Sequence, residues 1–153
     1  MNLSEKEVTR WGEVIGAEVH PPMFILLIGP LGAGKSVLAR AIARGAGVDG
    51  PVPSPTFNIL FRYPTTRGIQ IVHLDLYRVT EPGELWELGW QELGAPDELV
   101  LVEWPDRAKD HLPRDRWEVR LAHVEGDPAS RSVEVHRVGH PPHLPGFPVS
   151  LSA

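Results

Sequence analysis

A chain of 153 residues, 42% apolar and 23% charged, has the size and make-up of one globular domain with its own core. The absence of cysteine excludes disulfide frameworks, thiol nucleophiles, zinc ribbons and iron–sulfur clusters. A net charge of −5 speaks against a general nucleic-acid binder, DNA included, so any contact with RNA would depend on basic surface supplied by a partner.

Ser4-Glu5-Lys6-Glu7 forms a capping box, with Leu3 and Val8 placed as its hydrophobic staple. Val8, Trp11, Val14 and Ile15 follow at helical spacing, which predicts a helix from Glu5 to Val19, stopped by Pro21-Pro22. Phe24-Ile25-Leu26-Leu27-Ile28 is short and continuously apolar, the pattern of a strand buried on both faces. A glycine-rich turn leads into a helix from Lys35 to Arg44, ended by Gly45 and Gly47. Strand, turn and helix in this order open an α/β unit. Pro51 to Pro55 is a proline-punctuated loop. Strands are predicted over Phe57–Tyr63 and Gln70–Leu76, a helix over Glu81–Glu92, and a further strand over Glu98–Glu103. Trp117–Val124 and Ser132–Val138 alternate on either side of Gly126-Asp127-Pro128 and predict an antiparallel hairpin. Residues 1–138 then make one domain, and the proline-rich stretch 139–153 a tail without regular structure. No apolar run of about 18 residues is present. The start of the sequence lacks a basic stretch followed by an apolar one, so a cytoplasmic protein without membrane contact is expected.

Gly29-Pro30-Leu31-Gly32-Ala33-Gly34-Lys35-Ser36 has the phosphate-loop pattern G-x4-G-K-S, with an apolar strand before it and a helix after it. Glycines let the backbone turn so that successive N–H groups face phosphate oxygens. The helix N-terminus adds partial positive charge at the same point. Lys35 would reach the β- and γ-phosphates, and Ser36 Oγ would be a magnesium ligand. The predicted fold is therefore α/β of the P-loop NTPase class, three-layered, with a mostly parallel sheet and an antiparallel C-terminal hairpin. Nucleotide chemistry then needs carboxylates at the C-terminal ends of neighbouring strands. Glu103 and Asp75 both end apolar runs in that way. One would hold magnesium through water and the other orient the attacking water, and spacing alone does not say which does which. Ser54-Pro55-Thr56-Phe57 lies where a switch loop meets the γ-phosphate, which offers Thr56 to the metal or the phosphate.

Four blocks stand in one order: the phosphate loop, Ser54-Pro55-Thr56-Phe57, His73-Leu74-Asp75-Leu76-Tyr77-Arg78 and Val102-Glu103-Trp104. This set resembles the TsaE (YjeE) family of small bacterial ATPases, over nearly all of the chain from Trp11 to Val138. The resemblance implies ATP and Mg2+ as cofactors. It implies hydrolysis that supports tRNA N6-threonylcarbamoyladenosine formation together with TsaB and TsaD, weak in the isolated protein and raised by the partners. Contact with tRNA would be indirect, and the threonylcarbamoyl transfer itself would belong to the partners. Lys35 and Ser36 match the family's phosphate and magnesium residues, Thr56 its switch-like threonine, and Asp75 an aspartate needed for hydrolysis. Glu103 matches the magnesium-linked glutamate, and Trp104 a tryptophan beside the nucleotide. Val37 departs from the pattern: many members carry threonine there, and only the backbone N–H would remain to meet the α-phosphate. The proline-rich tail lies outside the pattern.

Two other readings share the phosphate loop. A small-molecule kinase would need an arginine-rich lid, which the sequence does not offer. A nucleotide-gated interaction module would lack the hydrolytic carboxylate, yet Asp75 and Glu103 are both present. His136, His140 and His143 lie close in sequence, but no carboxylate or cysteine completes a metal set with them.

Overall fold

A computed structural model describes residues 1–48, 50 and 59–147. The chain runs through β1 (Asn2–Ser4), α1 (Glu5–Glu18), β2 (Met23–Ile28), α2 (Lys35–Gly45), β3 (Leu60–Pro64), β4 (Gln70–Asp75), α3 (Gly83–Glu87), β5 (Glu98–Glu103), β6 (Arg116–Val124) and β7 (Asp127–Val138). Two 3-10 segments, Trp90–Glu92 and Pro105–His111, flank β5.

The capping box closes at the start of α1. Ser4 Oγ accepts from Glu7 N at 3.2 Å, and the Glu7 carboxylate accepts from Ser4 N at 2.9 Å. The helix ends at Glu18, where Val19 turns extended and its N–H bonds Ile15 O at 2.9 Å. Val8, Trp11, Gly12, Ile15 and Gly16 make its buried stripe.

All seven strands form one sheet in the order β1-β7-β6-β2-β5-β4-β3. β6, β2, β5 and β4 pair in parallel, while the β1–β7, β7–β6 and β4–β3 pairs are antiparallel. It follows that β1, β2, β4, β5 and β6 share one direction and only β3 and β7 run against it, so the sheet is mostly parallel. Helices cover both faces, which is why β2 and β5 are apolar nearly throughout. On one face α1 and α2 pack Trp11, Ile15, Leu38 and Ile42 against Ile25, Leu27, Leu99 and Leu101. On the other, Leu85, Trp90 and Ala108 close over Leu26, Val72, Val100 and Val102. The two helices of the first face touch backbone to backbone: a Cβ on Gly16 would stand 1.9 Å from Ile42 O, and one on Gly45 2.1 Å from Glu13 O.

Several boundaries differ from expectation. The predicted helix over Glu81–Glu92 is divided, because Gly89 takes a left-handed conformation (φ 79°) between α3 and the first 3-10 segment. β7 begins at Asp127, inside the expected turn, and a bulge between His123 and Val124 absorbs the offset. Of the predicted strand Phe57–Tyr63, the described part begins at Leu60; Phe57 lies outside the described residues. β1 is an edge strand of three residues that periodicity does not reveal. Residues 139–147 have no regular element, yet they do not trail free. Leu144 is buried in the α1 face of the core, and the Phe147 and Trp11 rings lie 6.0 Å apart. Trp117 Nε1 donates to Pro142 O at 2.7 Å. Among the described residues, no helix is long and apolar enough to cross a membrane.

Candidate functional site

The carboxyl end of the parallel strands carries the site. β2 stops at Ile28, the chain makes the glycine loop, and α2 starts at Lys35. Gly34 caps α2 in a left-handed conformation (φ 103°) and offers no side-chain acceptor to the first-turn N–H groups. Those donors, and the positive end of the helix dipole, therefore face the loop. A phosphate group fits this arrangement on both counts.

Lys35 is buried beneath the loop. Its ammonium donates to Gly29 O and sits 3.6 Å from the centroid of the Trp104 ring. Burial lowers its pKa from the ordinary lysine value, against the attraction of Glu103, Asp75 and Asp106. Ser36 Oγ donates to Glu103 Oε1 at 3.2 Å. Glu103 ends β5, is 2% exposed, and has His73 Nε2 2.7 Å from Oε2. Asp75 ends β4 directly in register with Glu103. Its Oδ1 accepts from Tyr77 N at 3.0 Å. Burial pushes the Asp75 carboxyl above the usual range, with Glu103 adding to the rise and the Tyr77 N–H, His73 and Lys35 opposing it.

Trp104 follows Glu103 in a left-handed conformation (φ 56°, ψ 51°) that a bulky residue adopts only under constraint. The turn swings the indole over Lys35, and Tyr77 packs on Trp104 with ring centroids 4.9 Å apart. The four predicted groups Lys35, Ser36, Asp75 and Glu103 thus meet at one end of a cavity of about 360 Å³. Leu31, Gly32, Ala33, Gly34 and Val37 also line it, as does Trp104. Gly29 and Pro30 do not; Gly29 reaches the site through its carbonyl on Lys35. Thr56 lies outside the described residues.

The other end of the cavity was not foreseen. It is walled by Glu5 and Val8 of α1 and by Pro128, Ala129 and Arg131 of β7. Arg131 Nη1 donates to Pro128 O at 2.9 Å, and Nη2 to Gly32 O at 3.4 Å, so the hairpin is tied to the phosphate loop. His123 Nε2 adds a contact of 3.4 Å to Leu31 O. The only signal for this wall was the capping box, which placed Glu5 and Val8 at a helix start without saying what they face.

The donor set suits magnesium, which prefers oxygen and keeps part of its water. Ser36 and Glu103 present a hydroxyl and a carboxylate on one side of the phosphate end. Among the described residues, no group of three or more His, Asp or Glu side chains could hold a metal ion alone. An ion here would complete its shell with phosphate and water oxygens.

The family model described as "Threonylcarbamoyl adenosine biosynthesis protein TsaE" matches residues 3–133. The tRNA threonylcarbamoyladenosine biosynthesis protein TsaE of Rickettsia bellii is 37% identical over 125 residues, 81% of this chain and 85% of that one. The Nostoc protein of the same name is 35% identical over 138 residues, 87% of this chain and 82% of its own. The crystal structure of Bacillus subtilis YdiB superposes with a TM-score of 0.68 at 25% identity, covering 91% of this chain and 84% of that one.

Proposed function

This chain belongs to the TsaE family of tRNA threonylcarbamoyladenosine biosynthesis proteins, and on that footing we propose that it is a magnesium-dependent ATPase serving that modification. The observation that carries the reading is the convergence of Lys35, Ser36, Asp75 and Glu103 at one end of a single cavity, at the N-terminus of α2. The loop N–H groups and Lys35 would hold the β- and γ-phosphates. Lys35 needs only to leave Gly29 O and the Trp104 face to do so. Ser36 would ligate the metal directly and Glu103 through water. Magnesium, when bound, withdraws charge from the phosphate oxygens as the bond to the leaving oxygen breaks. Asp75, across from Glu103 and less buried than it, would orient the attacking water. The opposite end, between Val8 and Pro128-Ala129, would receive the nucleoside.

The partners proposed are TsaB and TsaD, with tRNA reached through them in the cytoplasm. Weak turnover by the isolated chain follows if they complete the water-positioning side of the site. Hydrolysis should be measured with and without Mg2+, then with TsaB, TsaD and tRNA. Slow magnesium-dependent turnover that rises with the partners is expected. No turnover under any of these conditions would overturn the reading.

A further inference from the structure

His73 stands out on the α1 face of the sheet. Its strand neighbour Ile71 and the facing Leu99 and Leu101 are apolar core residues. His73 is 1% exposed in this setting and meets Glu103 Oε2 at 2.7 Å. An aliphatic side chain would fill such a place without enclosing a polar pair, which costs desolvation that the contact repays only in part. The pair is therefore better explained by what it does to Glu103. A carboxylate that serves a metal ion only accepts hydrogen bonds, so that role for Glu103 requires the shared hydrogen on Nε2 of the imidazole. The second donor to Glu103 is Ser36 Oγ, at 3.2 Å from Oε1 and 3.4 Å from Oε2. That hydroxyl would be a ligand of a metal ion bound there and would then hold Glu103 less closely. The contact with His73 comes from β4, from a side chain 1% exposed.

We propose that His73 is a positioning residue for the metal site: its Nε2–H fixes the Glu103 carboxylate so that one oxygen stays aimed at the phosphate end of the cavity. The inference rests on the reading of Glu103 as the magnesium-linked carboxylate. It makes two neighbouring strands and a helix one unit, with β4 holding β5 and β5 facing the first turn of α2. Groups that orient a metal-site ligand in this way commonly change metal affinity by about 10–100-fold when removed.

The test uses the full chain with Mn2+ as the probe, in the presence of a non-hydrolysable ATP analogue, and reads free Mn2+ by electron paramagnetic resonance. His73→Phe keeps an aromatic ring and removes the donor; His73→Gln restores an N–H. Mn2+ affinity should fall about tenfold in the Phe variant and recover in part with Gln. Metal-free nucleotide affinity should stay within about twofold in both. In turnover, the Mg2+ concentration for half-maximal rate should rise while the rate at saturating Mg2+ changes less. A folded Phe variant with wild-type Mn2+ affinity would overturn the proposal. Nitrogen-15 spectra of the wild-type protein give a check that needs no variant to fold: hydrogen on Nε2 supports it, and hydrogen on Nδ1 overturns it. A wild-type chain that binds the analogue but no Mn2+ would instead remove the magnesium reading of Glu103, and this proposal with it.

Discussion

Lys35 is held on two sides before any phosphate arrives, by a carbonyl of its own loop and by the face of Trp104. Removing it takes a buried positive side chain from the phosphate end, so Lys35→Ala should weaken ATP-analogue binding by about 100-fold or more, read by calorimetry. Asp75 behaves differently. Its carboxyl is raised chiefly by burial, so the folded state binds that proton more tightly than the unfolded chain does. The stability this gives is complete in acid, below the unfolded value, and is lost as pH rises through the folded value. Asp75→Asn cannot lose it. The variant should therefore resist urea better than wild type at neutral pH, with the gap closing in acid, while hydrolysis is lost and nucleotide still binds. Turnover by the wild type should climb with pH across the raised range. That Lys35, Ser36, Asp75 and Glu103 line one cavity was legible, because the phosphate-loop motif named the first two and strand-end position the last two. The His73 contact was half legible: period two put His73 on the face of Asp75, but only the sheet register shows that Glu103 is within reach.

At the scale of elements, the contact between α1 and α2 sets how deeply the phosphate-loop helix sits. Gly16→Ala drives a Cβ into the Ile42 carbonyl. The expected cost is about 1–3 kcal/mol in urea unfolding, since backbone has to move. Gly83→Ala in α3 is the control: nothing lies near the new Cβ, and stability should hold or rise by up to about 1 kcal/mol. The capping box, the buried strands and the α2 start could all be read from the sequence, because each has a local physical signature. The break at Gly89 could not, since Leu85, Leu88 and Trp90 keep an apolar rhythm across it and one glycine does not by itself end a helix. β1 escaped for a simpler reason: three residues are too few to show a period, and its stability comes from pairing with Ser130–Ser132 at the far end of the chain.

In the whole molecule, the stretch after β7 acts as a clasp. Leu144 enters the α1 core, Phe147 meets Trp11, and Trp117 anchors Pro142. Deleting residues 140–153 should lower unfolding stability by about 2–3 kcal/mol through the lost burial of Leu144 and part of Phe147, visible as a lower urea midpoint. Four prolines in a short run hid this. They do exclude a helix or a central strand, but irregular chain also packs well where an apolar residue falls at the right place. The class of the fold was readable because helix and strand signals alternate. The far wall of the cavity was not, because it joins the first turn of α1 to a hairpin more than a hundred residues later.

That joining has a kinetic side. The Met1 amino group donates to Val133 O across 132 positions, and the ties from His123 and Arg131 to the phosphate loop span 92 and 99. Contacts of such separation close late, because the loop entropy has to be met before they contribute. On dilution from urea, helical signal and the packing of α1 on α2 should return first. Capacity to hold a fluorescent nucleotide should lag behind them, since the cavity has only one finished wall until the hairpin reaches the start of the chain. Equal rates for both signals would mean that the phosphate end alone suffices for binding.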